Sequence, residues 1–300
     1  MVNIVLFGKS GILGSYFFKL LAGYDEVELF AYDKESLDVT DLQSVKTVFE
    51  KVKPFFVINC AAYTAVDDCE TNLEKAFLVN GSAVGEIANL CNEYGAILIH
   101  FSTDYVFDGQ NSSGYSENSD PSPINAYGRS KLEGEKNVMS NLPNHYIVRT
   151  SWLYGENGKN FVDTMLKLAE EKDELNVVND QFGAPTYAKD LAEAVLENFV
   201  EPYLKNAGTH EKWLDDKKDV FKECPAFGMY HLTNSGSCSW YEFALGIFEA
   251  SGKNIKVNPV SSDEFKRPAK RPSYSILLNE KIPCLKSWQD GLKNYLKLKS

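Results

Sequence analysis

Long apolar runs are missing from this chain of 300 residues, and none approaches the ~18 residues of a membrane-crossing helix. A C-x-x-C pair is missing too. The six cysteines (Cys60, Cys69, Cys91, Cys224, Cys238 and Cys284) are scattered, several in apolar runs, which reads as reduced thiols rather than a disulfide framework. Basic charge is in deficit, with 31 Lys and Arg against 42 Asp and Glu for a formal charge of -11. No basic stripe offsets that charge, which argues against nucleic acid as a partner. An anionic small molecule stays open where cations gather locally. Internal repeats are absent. We expect no signal peptide, since the first residues enter a strand pattern at once, and we expect a cytoplasmic protein.

What is present reads as an ordinary globular chain, 44% hydrophobic and 24% charged, long enough for a large core and two lobes. Residues 3–7 (NIVLF) are nearly all apolar, as a buried parallel strand is. Gly8-Lys9-Ser10-Gly11-Ile12-Leu13-Gly14 follows, and a helical pattern then sets Leu13, Phe17, Leu20 and Leu21 on one face. Two phosphate-binding readings compete. A P-loop needs a glycine five residues before its Gly-Lys, and position 3 is Asn, so that reading fails. Gly8-x-x-Gly11-x-x-Gly14 fits a dinucleotide turn with three-residue spacing. Its first glycine permits the tight turn, the second lets backbone approach a pyrophosphate, and the third allows close packing of helix on strand. Gly8, Ser10, Gly11, Ile12, Leu13 and Gly14 are thus candidate cofactor residues. The run 27–32 ends at Asp33, placed to accept ribose hydroxyls and repel a 2′-phosphate, so NADH is favoured over NADPH, with Lys34 softening that preference. Asp38 and Val39 join this set, ahead of a helix at 42–52 capped by Thr40 or nearby acids.

A third strand at 55–60 ends in Asn59-Cys60-Ala61-Ala62. The small Cys60, Ala61 and Ala62 would let a flat ligand pass close by. Helical patterns at 73–80 and 83–94 lead to a fourth strand at 96–101. It delivers Ser102-Thr103-Asp104-Tyr105 to the rim where open α/β sheets bind ligands. A loop rich in Gly, Ser, Asn and Pro follows at 108–123, then a helix with Tyr127 and Lys131, then a strand at 146–150. This alternation predicts an α/β fold, a Rossmann-type doubly wound parallel sheet over 1–150. Residues 151–300 read as a smaller substrate-binding α/β lobe, with parts of 175–200 and 229–234 returning to the first unit. The polar, weakly periodic 201–227 reads as a surface insertion. Residues 266–272 (KRPAKRP) are the dense cationic cluster that an anionic substrate requires.

Tyr127 and Lys131 lie four apart and share one helical face. A free phenol titrates near ~10, and a cation one turn away favours the phenolate and lowers that value. A tyrosine so tuned can pass a proton to an oxygen that gains charge during hydride addition. Thr103, Tyr127 and Lys131 therefore share one address.

With Gly8 to Gly14, residues 59–67 (NCAAYTAVD), 102–109 (STDYVFDG), 127–135 (YGRSKLEGE), 149–155 (RTSWLYG), 180–186 and 267–272 (RPAKRP), the chain resembles the dTDP-4-dehydrorhamnose reductase family of extended short-chain dehydrogenase/reductases almost end to end. That resemblance implies NADH or NADPH as cofactor and a nucleotide-sugar ketone as substrate, reduced at C4. It implies Tyr127 as proton donor, Lys131 on the nicotinamide ribose, and Thr103 on the reacting oxygen. It also implies sugar or nucleotide contacts from Thr64, Val66, Asp104, Tyr105, Trp152, Arg267 and Arg271. The related 4,6-dehydratases carry Glu where this chain has Tyr105, and a tyrosine does not readily serve as their base at neutral pH. Some members bind Mg²⁺ at a dimer contact through a glutamate shortly after the third glycine. Here Ser15-Tyr16 stand there and Lys189 replaces another acid, so we expect no metal site. A homodimer stays open, but not one bridged by metal. Two alternatives remain: a reductase of another nucleotide deoxysugar, and a non-catalytic dinucleotide-binding regulatory subunit like that of methionine adenosyltransferase.

Overall fold

The computed structural model describes residues 1–206 and 224–299. Strict alternation builds its centre. In β1 (Val2–Phe7), Ile4 and Leu6 enter one core while Val5 and Phe7 enter the other, all fully buried. β2 (Val27–Tyr32), β3 (Phe56–Asn59), β4 (Ile97–Thr103) and β5 (His145–Thr150) complete the expected set. Gly228–His231 adds a sixth strand, and all six pair in parallel in the order β2-β1-β3-β4-β5 and then Gly228–His231. Both faces are covered, as an all-parallel sheet requires. Phe17 and Leu21 of α1 (Ile12–Leu21), with Leu191 and Val195, close one face. Val45, Val48 and Phe49 of α2 (Leu42–Val52), with Ile87 of the Ala83–Tyr94 helix, close the other.

Register sets the functional rim. Phe7 lies beside Asn59, Asn59 beside His100, and Thr103 beside Thr150, so the strands deliver Gly8, Cys60 and Asp104 to one edge of the sheet. Strand order reverses between β1 and β3, which opens the crevice where such sheets bind ligands.

Of 175–200, Leu191 and Val195 pack on the main sheet, while Glu174–Val178 pairs with Lys256–Val260 in a separate parallel ladder. One part differs from expectation. Of the expected surface insertion, 207–223 lie outside the described residues, but its first part is not a surface loop. Glu201–Asn206 is helical and follows directly on the helical turns of 188–200. Tyr203 is fully buried, its ring edge-on to Phe56 at 5.3 Å and its hydroxyl 2.7 Å from that of Tyr146. Pro202 masks the continuity in the sequence, because proline is tolerated in a first helical turn yet reads as a break further in.

Candidate active site

The glycine turn explains itself through what a side chain would strike. Gly8 has φ +83°, and a Cβ there would come within 2.8 Å of the Ala61 nitrogen. A Cβ on Gly14 would lie 2.0 Å from the Gly8 carbonyl oxygen. Gly11 is different: its Cβ would meet only that same oxygen, at an ordinary 3.5 Å. The protein itself does not demand glycine at 11, as expected where a ligand takes the space. Gly11 also caps α1 without any side-chain bond to the helix amides, and no acid occupies the first turn. Those amides and the positive end of the helix dipole suit a pyrophosphate. Ser10 is exposed beside them. Ile12 packs under Gly155 and Gly158 and Leu13 lies in the core, so only their backbones are free for a ligand.

Asp33 ends the β2 turn and accepts bonds from the Ser36 amide (3.0 Å) and hydroxyl (2.7 Å), which lower its pKa. Lys9 Nζ stands 3.8 Å from its carboxylate, while Lys34 leans toward Asp38. Asp38 accepts from the Thr40 amide and hydroxyl, and Val39 is a core residue. The cap on α2 is Asp41, through Ser44. Across the crevice, the Cys60 amide donates to the Phe7 carbonyl, Ala61 is half-buried, and Ala62 is exposed.

Tyr127 and Lys131 lie on the Ala126–Asn141 helix, which starts at an Asn125 cap. Two glycines press this helix against the site. A Cβ on Gly128 would sit 2.1 Å from the Tyr105 carbonyl oxygen, and one on Gly134 would sit 2.2 Å from that of Asn80. Thr103, the last residue of β4, donates to Asp104 Oδ1 (2.9 Å) and accepts from the Tyr105 amide (3.2 Å). Burial raises the Asp104 pKa to about 6, against the hydrogen bond from Thr103. The Tyr105 and Tyr127 rings meet edge-on at 5.8 Å.

One expectation is corrected here. The pKa of the half-buried Tyr127 is raised, not lowered, first by desolvation and then by the Asp104 carboxylate. Lys131 does not offset this, because its Nζ is turned to the Phe101 carbonyl at 2.6 Å. The phenol is held protonated.

The cationic loop closes over the site, but its two arginines divide. Arg271 spans the Asp67 carboxylate at 2.5 and 2.8 Å and donates to the Ala269 carbonyl, with the Tyr105 phenol nearby. Arg267 is 3.6 Å from Asp67 and 57% exposed at its side chain, so it has more freedom to meet an incoming anion. Asn125 holds the loop by donating to the Lys270 carbonyl. Thr64 is exposed and Val66 half-buried on the loop that carries Asp67. Trp152 adopts φ +46°, uncommon for a bulky residue, and is held there by face-to-face stacking on Trp240 at 3.4 Å with Gly183 against its ring. One face of Trp152 is thus taken by Trp240.

A crevice built for a dinucleotide, with a hydroxyl, a phenol and an amine on its rim, can be compared with known proteins. The family model described as RmlD substrate binding domain matches residues 2–300. The chain belongs to the RmlD family. It is 39% identical to the spore coat polysaccharide biosynthesis protein SpsK of Bacillus subtilis, with 100% of this chain and 99% of that protein aligned. It is 38% identical to dTDP-4-dehydrorhamnose reductase of Escherichia coli, over 98% and 97% of the two chains. The crystal structure of dTDP-4-dehydrorhamnose reductase from Bacillus anthracis in complex with NADP is similar throughout, at TM-score 0.86, 36% identity and full coverage of both chains.

In this RmlD-family chain, several residues that build the site escape a reading of motifs. Asn80, fully buried in a wide turn, bonds both backbone groups of Tyr63 and the Ser130 hydroxyl, tying the loop after β3 to the Tyr127 helix. Glu135 and Arg149 form a buried two-bond ion pair below Lys131, at 2.8 and 2.6 Å. Asp67 anchors the cationic loop. Only Glu135 carries a local signal, as an acid on the Lys131 face of the helix one turn further on. Among the described residues, no three His, Cys, Asp or Glu side chains gather to hold a metal, and no helix is long and apolar enough to cross a membrane.

Proposed function

We propose that this RmlD-family chain is an NAD(P)H-dependent oxidoreductase that reduces the C4 ketone of dTDP-4-dehydro-L-rhamnose to give dTDP-L-rhamnose for polysaccharide synthesis. The observation that carries the reading is the Thr103–Tyr127–Lys131 set at the carboxyl edge of the sheet, beside an uncapped helix start with room at Gly11. The nicotinamide cofactor, when bound, supplies the hydride. The α1 amides with Gly8, Ser10 and Gly11 would hold its pyrophosphate, Gly14 keeps α1 close against the turn, and Asp33 would accept from its adenosine ribose. Lys9, 3.8 Å from Asp33, offers a cation to a 2′-phosphate, so both cofactors are accommodated.

Tyr127 gives its proton to the oxygen that gains charge at C4. The raised phenol pKa suits this direction, because a protonated tyrosine is the acid that a ketone reduction needs. Thr103 steers that oxygen, but its own hydrogen is engaged by Asp104 while that carboxyl is ionised. Lys131 serves the nicotinamide ribose. Tyr105 and Trp152 shape the place for the deoxysugar ring, and Arg267 meets the diphosphate while Arg271 keeps the loop in place through Asp67. Residues 1–150 serve as the dinucleotide-binding part and 151–300 as the substrate lobe.

Loss of NADH or NADPH absorbance on adding the keto sugar tests the reading. Tyr127→Phe should keep cofactor affinity and lose roughly 10²–10⁴-fold in kcat, the usual range for a positioned acid. Full turnover in that variant, or none in the native chain with either cofactor, refutes it.

A further inference from the structure

We propose that His100 is a positioning residue for Lys131, one that presses the buried lysine toward its uncharged amine. Its catalytic meaning rests on the reductase reading above, whereas the hydrogen-bond argument does not. Four contacts run in series. The Ala61 amide donates to Asn59 Oδ1 at 3.1 Å. A backbone N–H can only donate, so the Asn59 oxygen stays there, and its Nδ2 faces His100 Nδ1 at 3.3 Å. On the far side of the ring, His100 Nε2 lies 3.4 Å from Lys131 Nζ, which in turn donates to the Phe101 carbonyl at 2.6 Å.

The hydrogens follow from this geometry. Asn59 Nδ2 is a donor only, so a satisfied contact needs a lone pair on Nδ1 and the imidazole proton on Nε2. That proton points at the lysine nitrogen. An amine accepts it and still donates to Phe101. An ammonium has no lone pair and forces donor against donor, at Nε2 or, if the imidazole proton moves across the ring, at Asn59. A charged imidazole is worse, because both of its nitrogens then donate. The chain is complete only with neutral lysine.

Other groups around the pair leave this bias in place. Glu135, one turn along the helix, favours the ammonium, but Arg149 from β5 already spans its carboxylate. Burial pushes the Cys60 thiol at the end of β3 upward, so it adds no charge. Tyr127 on the rim is held as a neutral phenol. Asp104 is ionised above about 6 and favours the ammonium, but the Thr103 hydroxyl already donates to its Oδ1. Burial acts in the same sense as the chain of bonds. It pulls Lys131 down to about 8 and holds His100 well below the ordinary imidazole value. A lysine so placed exchanges its proton near working pH, where acid–base groups are most effective.

The test uses the full chain labelled with ¹⁵N-histidine and ¹³C-lysine. Above the Lys131 titration, His100 should report the Nε2–H tautomer, and the Lys131 Cε signal should titrate near 8. In His100→Gln, whose amide can turn its oxygen to the ammonium, that midpoint should rise by about one unit, a tenfold change in the proton equilibrium. The alkaline limb of kcat should move with it. A histidine that merely fills space would lower stability and kcat without moving the midpoint. An unmoved midpoint, or an Nδ1–H tautomer in the native chain at high pH, overturns the proposal. If the variant does not fold, the native tautomer decides alone. None of the spectra needs turnover, so a native chain that shows them and reduces no keto sugar counts against the reductase reading and leaves His100 assigned.

Discussion

Gly128→Ala sets two effects against each other that the structure allows to be weighed. In an exposed helix interior, alanine in place of glycine gains about 1 kcal/mol. Here the new Cβ would stand 2.1 Å from the Tyr105 carbonyl oxygen and 2.9 Å from Pro123 Cβ. Real Cβ contacts essentially never fall below 3.0 Å, so helix and turn must separate by at least 0.9 Å (3.0 − 2.1). Overpacking of this kind costs about 1–3 kcal/mol, which after the helix gain leaves a net loss of about 0–2 kcal/mol. The fold survives with a melting temperature lowered by no more than about 8 °C, at about 2–4 °C per kcal/mol. Activity suffers more. The same displacement parts Tyr127 from Thr103, and a shift on the order of 1 Å between reacting groups costs about 10²-fold in rate. Thermal unfolding and steady-state turnover on one preparation should therefore show a small loss beside a large one. A Gly128→Ala protein with raised melting temperature and native kcat would refute the packing argument.

Further outcomes follow from the same geometry. Gly11→Ala meets no obstacle in the protein, so it should melt within a few degrees of native and yet raise the KM for either cofactor at least several-fold. Lys9→Ala should weaken NADPH more than NADH, read as the ratio of their kcat/KM values. Glu135→Ala strands the Arg149 guanidinium, 4% exposed, without its partner and should cost about 3–5 kcal/mol in denaturant unfolding. Asp104 gives a pH signature. Its folded pKa of about 6 exceeds the unfolded 3.8, so the native chain binds the extra proton. Stability from this group is full below pH 4 and is lost as pH rises through 6, by about 3 kcal/mol in all. Asp104→Asn lacks that term, so its stability relative to native should improve by this order between pH 4 and pH 8. An unchanged difference across that range would show that Asp104 is not buried as described.

Much of the fold was legible in the chain because the central strands are apolar on both faces and each is followed by a helix with one apolar stripe. NIVLF, the glycines at 8, 11 and 14, and the TD step at the end of β4 report local backbone and local burial, which the chain encodes at short range. The helical start of the expected insertion was not legible. Tyr203 earns its burial from Phe55, Phe56 and Tyr146, which lie far away in sequence, and the local cue, Pro202, pointed the other way.

Local patterning in the chain set the order of strands and helices, the glycine turn, and the placing of Thr103, Tyr127 and Lys131 on one rim. Those depend on periods of two and of 3.6 residues, and on a backbone that only glycine permits. The tertiary structure alone decided the charge state of that rim. Lys131 at helical spacing from Tyr127 suggested a lowered phenol pKa, yet the folded chain turns its nitrogen to Phe101 and His100, half-buries the phenol, and places Asp104 nearby. It likewise committed Arg271 to Asp67 and left Arg267 exposed. Spacing can put two side chains on one face. Which partner each one meets, and how far each is taken from water, depends on segments that only the fold brings together, β4 against the Tyr127 helix and Asp67 against Arg271.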